Sequence, residues 1–302
     1  MNKIIFIYKL LIPEFIRDIM YERRERKRKS KIDKKTIQKD ILNYIKSIDH
    51  RDPEISKIFK FLSNHPLKTF PLNISTKKNI DLRKEENMYY VIFENKKLFF
   101  PRGTTKKTII KYCKGIFEEQ HPNSPHCYLS EKFNVNENSI IADIGAAEGN
   151  FTLSIIDKVK KVYIFEADNV WTKALKKTFE PWQDKVEFVF AKVSDNNQKG
   201  YISLDEFFKD KPFPDFLKLD VEGSENCVLK GAENIINQDN IKVAICTYHR
   251  YEDEKNFKTY FDTKGYKTHF SNSYMIMYEN GEDFKEPYIR RGVLRAEKSK
   301  IN

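Results

Sequence analysis

The sequence lacks several features that would place it in a specialised class of protein. It has no run of 18 or more apolar residues, so no segment has the composition of a transmembrane helix. Only 10 of the 302 residues are glycine and 40% are apolar, which excludes a collagen-like or wholly disordered chain. The four cysteines are scattered without a C-x-x-C pair, which argues against a disulfide framework or structural zinc site and fits a reducing cytosol.

The excess of positive charge is confined to the N-terminus. Residues 1–39 carry +8 of the net charge of +11, so the rest of the chain is nearly balanced. Within residues 1–32, apolar residues at helical spacing precede a block of lysine and arginine, as in an interfacial helix on an anionic membrane. A helix packed on the protein itself is the alternative. We expect a cytoplasmic protein, a peripheral contact with the inner membrane face through residues 1–32, and no nucleic-acid partner.

Residues 33–120 carry no recognisable catalytic motif. The apolar spacing predicts a helical stretch over residues 33–65. Two short apolar runs separated by Glu94-Asn-Lys-Lys predict a β-hairpin over residues 87–101. We interpret this part as an α+β extension that precedes a catalytic domain over residues 121–302.

From Asn138 onward, strand and helix patterns alternate strictly. Five buried strands begin near residues 140, 161, 186, 214 and 243, and each precedes a helical pattern. The fourth helix is expected over residues 224–236. Two further strands, near residues 266–270 and 274–278, are close enough to form a closing hairpin. The pattern predicts an α/β fold with a Rossmann-like, doubly wound, mostly parallel sheet.

The strongest motif, Asp143-Ile-Gly-Ala-Ala-Glu-Gly-Asn, follows the first of these strands. In an open α/β sheet, ligands bind at the carboxyl ends of the strands, where this motif lies. Gly145 and Gly149 allow a sharp turn of the backbone beside the ligand. A dinucleotide fingerprint would read G-x-G-x-x-G, whereas Ala147 occupies the middle position here. A carboxylate at Asp143 would repel a pyrophosphate and attract a sulfonium. The loop therefore favours S-adenosylmethionine over a nicotinamide cofactor.

An acidic residue, Glu166, ends the second strand, 21 positions after Gly145. A carboxylate there can accept hydrogen bonds from both hydroxyls of an adenosine ribose. Capping of the following helix is the alternative role for Glu166.

The fourth strand ends in Lys218-Leu-Asp-Val-Glu-Gly-Ser-Glu225. Lys218 and Asp220 share one face of the strand, where charged groups are costly unless they are paired or functional. We therefore expect Asp220, at the carboxyl end of the strand, to lie beside the transferred methyl group. A purely structural ion pair between Lys218 and Asp220 is the alternative. Glu222 and Glu225 add carboxylates, so a divalent cation is an option that the spacing does not require.

Two histidines are candidates for the acceptor side. His249 follows the fifth strand, where an imidazole could remove a proton from a hydroxyl. His126 lies in a proline-stiffened loop before the first strand and could line the acceptor pocket. The alternative for each histidine is that it is an ordinary loop residue without a role in the reaction.

Taken together, these motifs resemble the FkbM family of S-adenosylmethionine-dependent methyltransferases over residues 121–279. The resemblance is carried by Asp143-Ile-Gly-Ala-Ala-Glu-Gly-Asn-Phe-Thr-Leu, Phe165-Glu-Ala-Asp, Val193-Ser-Asp195, Ser203-Leu-Asp-Glu-Phe, Leu217-Lys-Leu-Asp-Val-Glu-Gly-Ser-Glu and Val228-Leu-Lys-Gly-Ala. The ordered series is specific, although Ala167 stands where a proline is common and Ser224 where an alanine is common.

The resemblance implies a class I methyltransferase fold and methyl transfer to a hydroxyl of a sugar, polysaccharide or natural product. It also implies roles for three groups of residues. The cofactor would contact Asp143, Gly145, Ala146, Gly149, Asn150, Glu166 and Asp195; the acceptor would contact His126, Lys218 and Glu222; Asp220 and His249 would be catalytic.

We therefore expect an O-methyltransferase acting on a sugar or surface-polysaccharide precursor. A methyltransferase for a small metabolite or a nitrogen acceptor is one alternative. A non-catalytic scaffold whose basic arm binds membrane or nucleic acid is another, although it would have no use for both Asp143 and Glu166.

Overall fold

The computed structural model describes residues 33–48, 52–71, 80–278 and 286–298. The predicted membrane-contacting segment, residues 1–32, lies outside the described residues. Among the helices described, none is long and apolar enough to cross a membrane. The chain forms two compact units: residues up to Pro71 with Ile276–Ile289, and Leu72–Met275 with Arg290–Asn302.

The first unit contains two amphipathic helices, α1 (Lys34–Ser47) and α2 (Pro53–Asn64). Ile37, Ile41 and Ile45 form the buried face of α1, as the spacing predicts. The helical stretch predicted over residues 33–65 consists of two helices, because α1 ends at Ser47 and α2 begins at Pro53. Asp52 caps α2 and a proline occupies its first position, which are start signals for a new helix.

The second unit is built around a seven-stranded sheet and a separate three-stranded sheet. The strands of this unit and the two short strands at its boundary are β1 (Leu82–Glu85), β2 (Met88–Phe93), β3 (Lys96–Phe99), β4 (Ile140–Ile144), β5 (Lys161–Phe165), β6 (Val186–Val189), β7 (Lys192–Val193), β8 (Tyr201–Ile202), β9 (Phe216–Leu219), β10 (Ile241–Cys246), β11 (Lys267–Phe270), β12 (Met275–Ile276), β13 (Ile289–Arg290) and β14 (Val293–Lys298).

The strand order of the large sheet is β11-β14-β10-β9-β4-β5-β6. The pairs among β6, β5, β4, β9 and β10 are parallel, and β14 runs antiparallel to both of its neighbours. This arrangement confirms the predicted Rossmann-like, doubly wound, mostly parallel sheet. The hairpin predicted over residues 87–101 is β2–β3, and β1 extends it to three strands.

Helices connect the strands of this unit. They are α3 (Lys106–Glu119), α4 (Asn150–Ile155), α5 (Thr172–Thr178), α6 (Leu204–Phe207), α7 (Glu225–Lys230), α8 (Glu233–Ile236) and α9 (Asp253–Thr263). The single helix expected over residues 224–236 is two helices, α7 and α8, separated at Gly231. A Cβ at Gly231 would lie 2.1 Å from the carbonyl oxygen of Ser194, so only glycine fits this close approach.

The predicted closing hairpin of residues 266–270 with 274–278 is wrong. β11 pairs instead with β14, which inserts between β11 and β10, while β12 pairs with β13. The sequence of β14 contains three charged residues within six, so its apolar signal is weak. Its partners also lie more than 20 residues away along the chain, beyond the range of a hairpin pattern.

Two apolar layers cover the large sheet. One is formed by helices α6 to α9 against residues such as Leu217 and Leu219. The other includes Ile141 and Phe216 together with Phe93 and Ile109 from the β1–β3 sheet and α3. The β1–β3 sheet and α3 therefore belong to the same compact unit as the large sheet, and the predicted domain boundary at residue 120 stays a prediction.

The inserted strand β14 fixes the loop that precedes β4. Arg295 is buried, and its guanidinium donates hydrogen bonds to the backbone carbonyl oxygens of Cys127, Tyr128 and Leu129 at 2.7–3.0 Å. Three backbone acceptors in a dry environment thus depend on one side chain. This contact holds the three residues that directly follow His126 against the sheet.

We expect Arg295→Leu to lower the free energy of unfolding by about 3 kcal/mol or more, since buried acceptors would be left unsatisfied. Lys298→Leu, on the same strand at a partly exposed position, is the control and should cost less than about 1 kcal/mol. Urea denaturation measures both values. Equal effects of the two substitutions would contradict this role of Arg295.

Candidate active site

The candidate site lies at the carboxyl edge of the large sheet, where the strand order reverses between β4 and β9. Ligands of doubly wound folds bind at such a point because the neighbouring loops diverge there. The loops that follow β4, β5, β9 and β10 carry most of the residues that the sequence predicts for the site.

A buried ion pair joins the two strands at this point. The register places Asp143 directly opposite Lys218, and the Lys218 Nζ lies 3.2 Å from Asp143 Oδ1. Thr152 donates a hydrogen bond to the other carboxylate oxygen, Oδ2, at 2.7 Å. Burial lowers the pKa of Lys218 and the carboxylates around it raise it, with a net rise. Asp143 is fully buried, so its carboxylate orients the site from below and does not face solvent.

The same ammonium group fixes the glycine loop, because Lys218 also donates to the carbonyl oxygen of Gly145. Gly145 has φ of 78°, and a Cβ there would lie 1.9 Å from the carbonyl oxygen of Asp220. The loop after β4 and the loop after β9 are therefore in direct backbone contact. Ala146 and Asn150 are buried within this loop and at the start of α4, and Gly149 has φ of 83°.

Glu166 reaches back to the glycine loop from the end of β5. Its Oε2 accepts a hydrogen bond from the Ala147 amide and its Oε1 one from the Asp168 amide, both at 2.7 Å. Burial raises the pKa of Glu166, and these two amides partly offset the rise. Each oxygen retains a lone pair, which leaves the carboxylate able to accept from ribose hydroxyls.

Asp220 is the centre of the predicted acceptor side. Tyr128 donates its hydroxyl to Asp220 Oδ2 at 2.6 Å, and His126 Nε2 lies 3.5 Å from the same oxygen. His249 Nε2 lies 3.6 Å from the other oxygen, Oδ1. Residues from three distant segments of the chain, around 126, 220 and 249, therefore meet at one carboxylate.

The charges of this cluster stabilise one another. Burial raises the pKa of Asp220, but the charges and hydrogen bonds of His126, Lys218 and His249 lower it by a larger amount. The net pKa is therefore well below the usual range. Burial lowers the pKa of His126 while Asp220 raises it, and the net change is a rise. The pKa of His249 also rises, because nearby carboxylates, Glu225 first, outweigh its burial.

Two other predicted residues are more exposed. The Glu222 side chain is 90% exposed, although its Oε2 lies 3.5 Å from His249 Nε2. Asp195 is exposed in the loop after β7, and its carboxylate accepts hydrogen bonds from Ser194 and Asn196. The described contacts do not bring Asp195 to the other predicted cofactor residues, so its place beside an adenine stays a prediction.

Sequence reasoning missed one polar pair next to the glycine loop. Tyr112 of α3 donates its hydroxyl to Glu148 Oε2 at 2.8 Å, and the ring of Tyr112 lies 6.0 Å from that of Trp171. Burial raises the pKa of Glu148 to about 7. Glu148 stands inside the quoted motif and could have been singled out, whereas no local signal marks Tyr112 as its partner.

The residues present fit a sulfonium nucleoside. The glycine loop is flanked by the carboxylates of Glu148 and Glu166, which would repel a pyrophosphate and tolerate a cationic ligand, whereas the predicted attraction of a sulfonium by Asp143 is offset by its pairing with Lys218. The sheet order has the class I methyltransferase type of Rossmann-like fold.

The model of one sequence family, the Methyltransferase FkbM domain, matches residues 104–284. The match covers more than half of the chain, so the chain belongs to the FkbM methyltransferase family. The typical methyl donor of this family is S-adenosylmethionine. The predicted resemblance is confirmed. The match begins at residue 104 and includes α3, which the predicted resemblance left out.

Solved structures show a similar fold at low identity. An FkbM methyltransferase from Methylobacillus flagellatus KT has a TM-score of 0.45 and 18% identity, over 61% of this chain and 50% of that chain. This chain therefore spans about half the length of the Methylobacillus protein. A precorrin-6y C5,15-methyltransferase from Geobacter metallireducens GS-15 has a TM-score of 0.39 and 12% identity, over 56% of this chain and 84% of that chain.

TrmK from M. capricolum, solved with S-adenosyl-homocysteine, has a TM-score of 0.38 and 16% identity, over 57% of this chain and 70% of that chain. None of the curated proteins matches the chain. The family assignment therefore rests on the match to the sequence-family model over residues 104–284.

We expect Glu148→Gln to stabilise the protein at high pH. The pKa of Glu148 is higher in the folded state, so its ionisation lowers the free energy of unfolding as the pH rises from about 4.5 to about 7. Glutamine retains an acceptor for Tyr112 and carries no charge. The variant should exceed the parent by up to about 3 kcal/mol at pH 8 and by much less at pH 5.

Urea denaturation of both proteins at the two pH values measures this difference. A difference that does not change between pH 5 and pH 8 would show that Glu148 does not titrate in this range.

Proposed function

We propose that the enzyme transfers a methyl group from S-adenosylmethionine to a hydroxyl of a sugar or surface-polysaccharide precursor. The observation that carries the proposal is the cluster of Tyr128, His126 and His249 around Asp220, in backbone contact with the glycine loop. Carboxylate, phenol and imidazole groups recognise hydroxyls through hydrogen bonds.

The donor supplies an activated methyl group when bound, so the protein mainly needs to position the acceptor and take up one proton. The carbon–sulfur bond breaks as the carbon–oxygen bond forms, and the hydroxyl proton passes to a base of the protein. The sequence predicts His249 as this base. His126 is an equal candidate by geometry, because it contacts the other oxygen of Asp220.

The charge of the site supports a small or glycan acceptor over nucleic acid. Asp220, Glu222 and Glu225 place three carboxylates at the acceptor side. Proteins that bind nucleic acid instead present lysine and arginine to the phosphates. A scaffold without activity would require neither this cluster nor the bonded Glu166.

The acceptor class is tested by incubating the purified chain with radiolabelled S-adenosylmethionine and a matched panel of acceptors. The panel contains free sugars, nucleotide-linked sugars, oligosaccharides and amine-bearing metabolites. We expect label in a methyl ether of one of the carbohydrate groups, identified by mass spectrometry. Label on nitrogen, or on a non-carbohydrate metabolite alone, would replace the proposal with its alternative.

We expect Glu166→Ala to weaken the binding of S-adenosylhomocysteine at least tenfold, about 1.4 kcal/mol, because the ribose hydroxyls would lose their acceptor. Asp184→Ala, which removes an exposed carboxylate after α5, is the matched control and should bind like the parent. Calorimetric titration gives both affinities. An unchanged affinity in Glu166→Ala would remove this residue from the donor site.

A further inference from the structure

The solvent side of α3 carries lysines that the candidate site does not use. Lys107, Lys111 and Lys114 follow one another at intervals of four and three residues, so they lie on one side of the helix. All three are exposed. Ile110 lies among them, one helical turn from both Lys107 and Lys114, and is 38% exposed.

Two further lysines extend this surface toward β1. Lys84 of β1 and Lys106 at the start of α3 both approach Tyr89, with their Nζ atoms 5.7 and 5.8 Å from the centre of its ring. The next carboxylate on the strand, Glu85, does not neutralise them, because it pairs with Lys97. Two like charges therefore converge on one ring. The surface, here called the α3 basic face, consists of Lys84, Lys106, Lys107, Ile110, Lys111 and Lys114.

The positive charge of the α3 basic face is not balanced within the described part of the chain, where none of its five lysines forms an ion pair. Other exposed lysines, such as Lys57 and Lys258, pair with a carboxylate on their own helix. The first turn of α3 contains no acidic residue, and Lys106 and Lys107 begin the helix, where its dipole disfavours cations. Charges placed against the dipole without internal partners favour an external anion.

The position of Ile110 decides which kind of anion fits. A nucleic acid offers phosphates to the lysines but no apolar surface to an isoleucine among them. A membrane offers both, because anionic headgroups attract lysines while an apolar side chain enters the boundary between headgroups and acyl chains. The α3 basic face has this combination of side chains.

The same helix contacts both sides of the candidate site. On another flank of α3, Tyr112 donates its hydroxyl to Glu148 beside the glycine loop. At the end of the helix, the Gln120 side-chain amide donates to the carbonyl oxygen of His126. A partner on the α3 basic face would leave these contacts intact, and it would be separated from them by the thickness of one helix, about 10 Å.

We propose that the α3 basic face binds the anionic headgroups of a lipid membrane, with Ile110 entering between them. This surface is a different part of the chain from residues 1–32, for which the sequence predicts a membrane contact. It determines where the enzyme works and does not depend on the class of acceptor.

The first test measures the α3 basic face on the full parent chain. Exposed lysines are acetylated briefly with sulfosuccinimidyl acetate, and mass spectrometry gives the labelling of each one. Vesicles of phosphatidylcholine with phosphatidylglycerol should lower the labelling of Lys107, Lys111 and Lys114 at least about threefold, and vesicles of phosphatidylcholine alone should not. Lys209 after α6 and Lys255 on α9 are exposed on the other layer of the sheet and are internal controls.

Residue-specific labelling separates this surface from any contact made by residues 1–32. Unchanged labelling of the three α3 lysines, or a decrease no larger than that of Lys209 and Lys255, would overturn the proposed membrane contact. Equal protection by phosphatidylcholine alone would also overturn it.

The second test compares two variants of equal charge by sedimentation with the anionic vesicles. Each lysine near an anionic surface contributes about fivefold to binding, so the combined variant Lys107→Gln and Lys111→Gln should bind at least about tenfold more weakly than the parent. The combined variant Lys209→Gln and Lys255→Gln is the matched control and should bind like the parent. Equal binding of the two variants would contradict a role for the α3 basic face.

The third test separates a membrane from a general polyanion, for which a DNA duplex is the probe. Ile110→Ser keeps every charge, so it should weaken vesicle binding at least about threefold and leave duplex binding unchanged. Full vesicle binding by this variant, or protection of the α3 lysines by the duplex alone, would overturn the membrane contact. None of these measurements uses an acceptor, so their failure would leave the proposed function in place.

Discussion

The buried contact between Lys218 and Asp143 is the constraint on which the site depends. One ammonium group pairs β9 with β4, and it also donates to the first carbonyl of the glycine loop. Removing one partner of a buried pair leaves an uncompensated charge, typically at a cost of about 3–5 kcal/mol. The pair therefore fixes the position of the glycine loop relative to the sheet, in addition to neutralising two buried charges. The donor would bind on this loop.

The two sides of the candidate site meet at one backbone junction. Gly145 touches the carbonyl of Asp220, so the loop that would hold the nucleoside abuts the residue around which the acceptor groups gather. A side chain at position 145 would separate them. Methyl transfer requires donor and acceptor atoms within about 3–3.5 Å, and this junction gives the two loops a fixed relative position.

The alternation of strands and helices could be predicted because buried parallel strands are short, apolar and regularly spaced. The ion-pair partner of Lys218 could not be predicted from the sequence. Asp220 lies two residues away and shares its face, but Asp143 becomes the neighbour only when a crossover places β9 beside β4. Local sequence carries no information on that register, so a charged pair between distant strands remains hidden until the sheet order is known.

The candidate site shows the same limit. Asp220 and His249 end adjacent strands, and their proximity follows from the sheet edge alone. His126 precedes β4, and its approach to Asp220 depends on Arg295 holding the backbone on either side of Tyr128. Because β14 carries charged residues and pairs across a long separation, sequence reasoning mistook the end of the sheet for a hairpin and missed this support.

The position of β14 also has a consequence for synthesis. A ribosome completes β10 and β11 before it makes the strand that must lie between them. Until that strand emerges, the two have no shared partner, and the carbonyls of residues 127–129 have no guanidinium to bind. The backbone that places Tyr128 beside Asp220 can therefore be fixed only after β14 has been made, later than the strands that carry the rest of the candidate site.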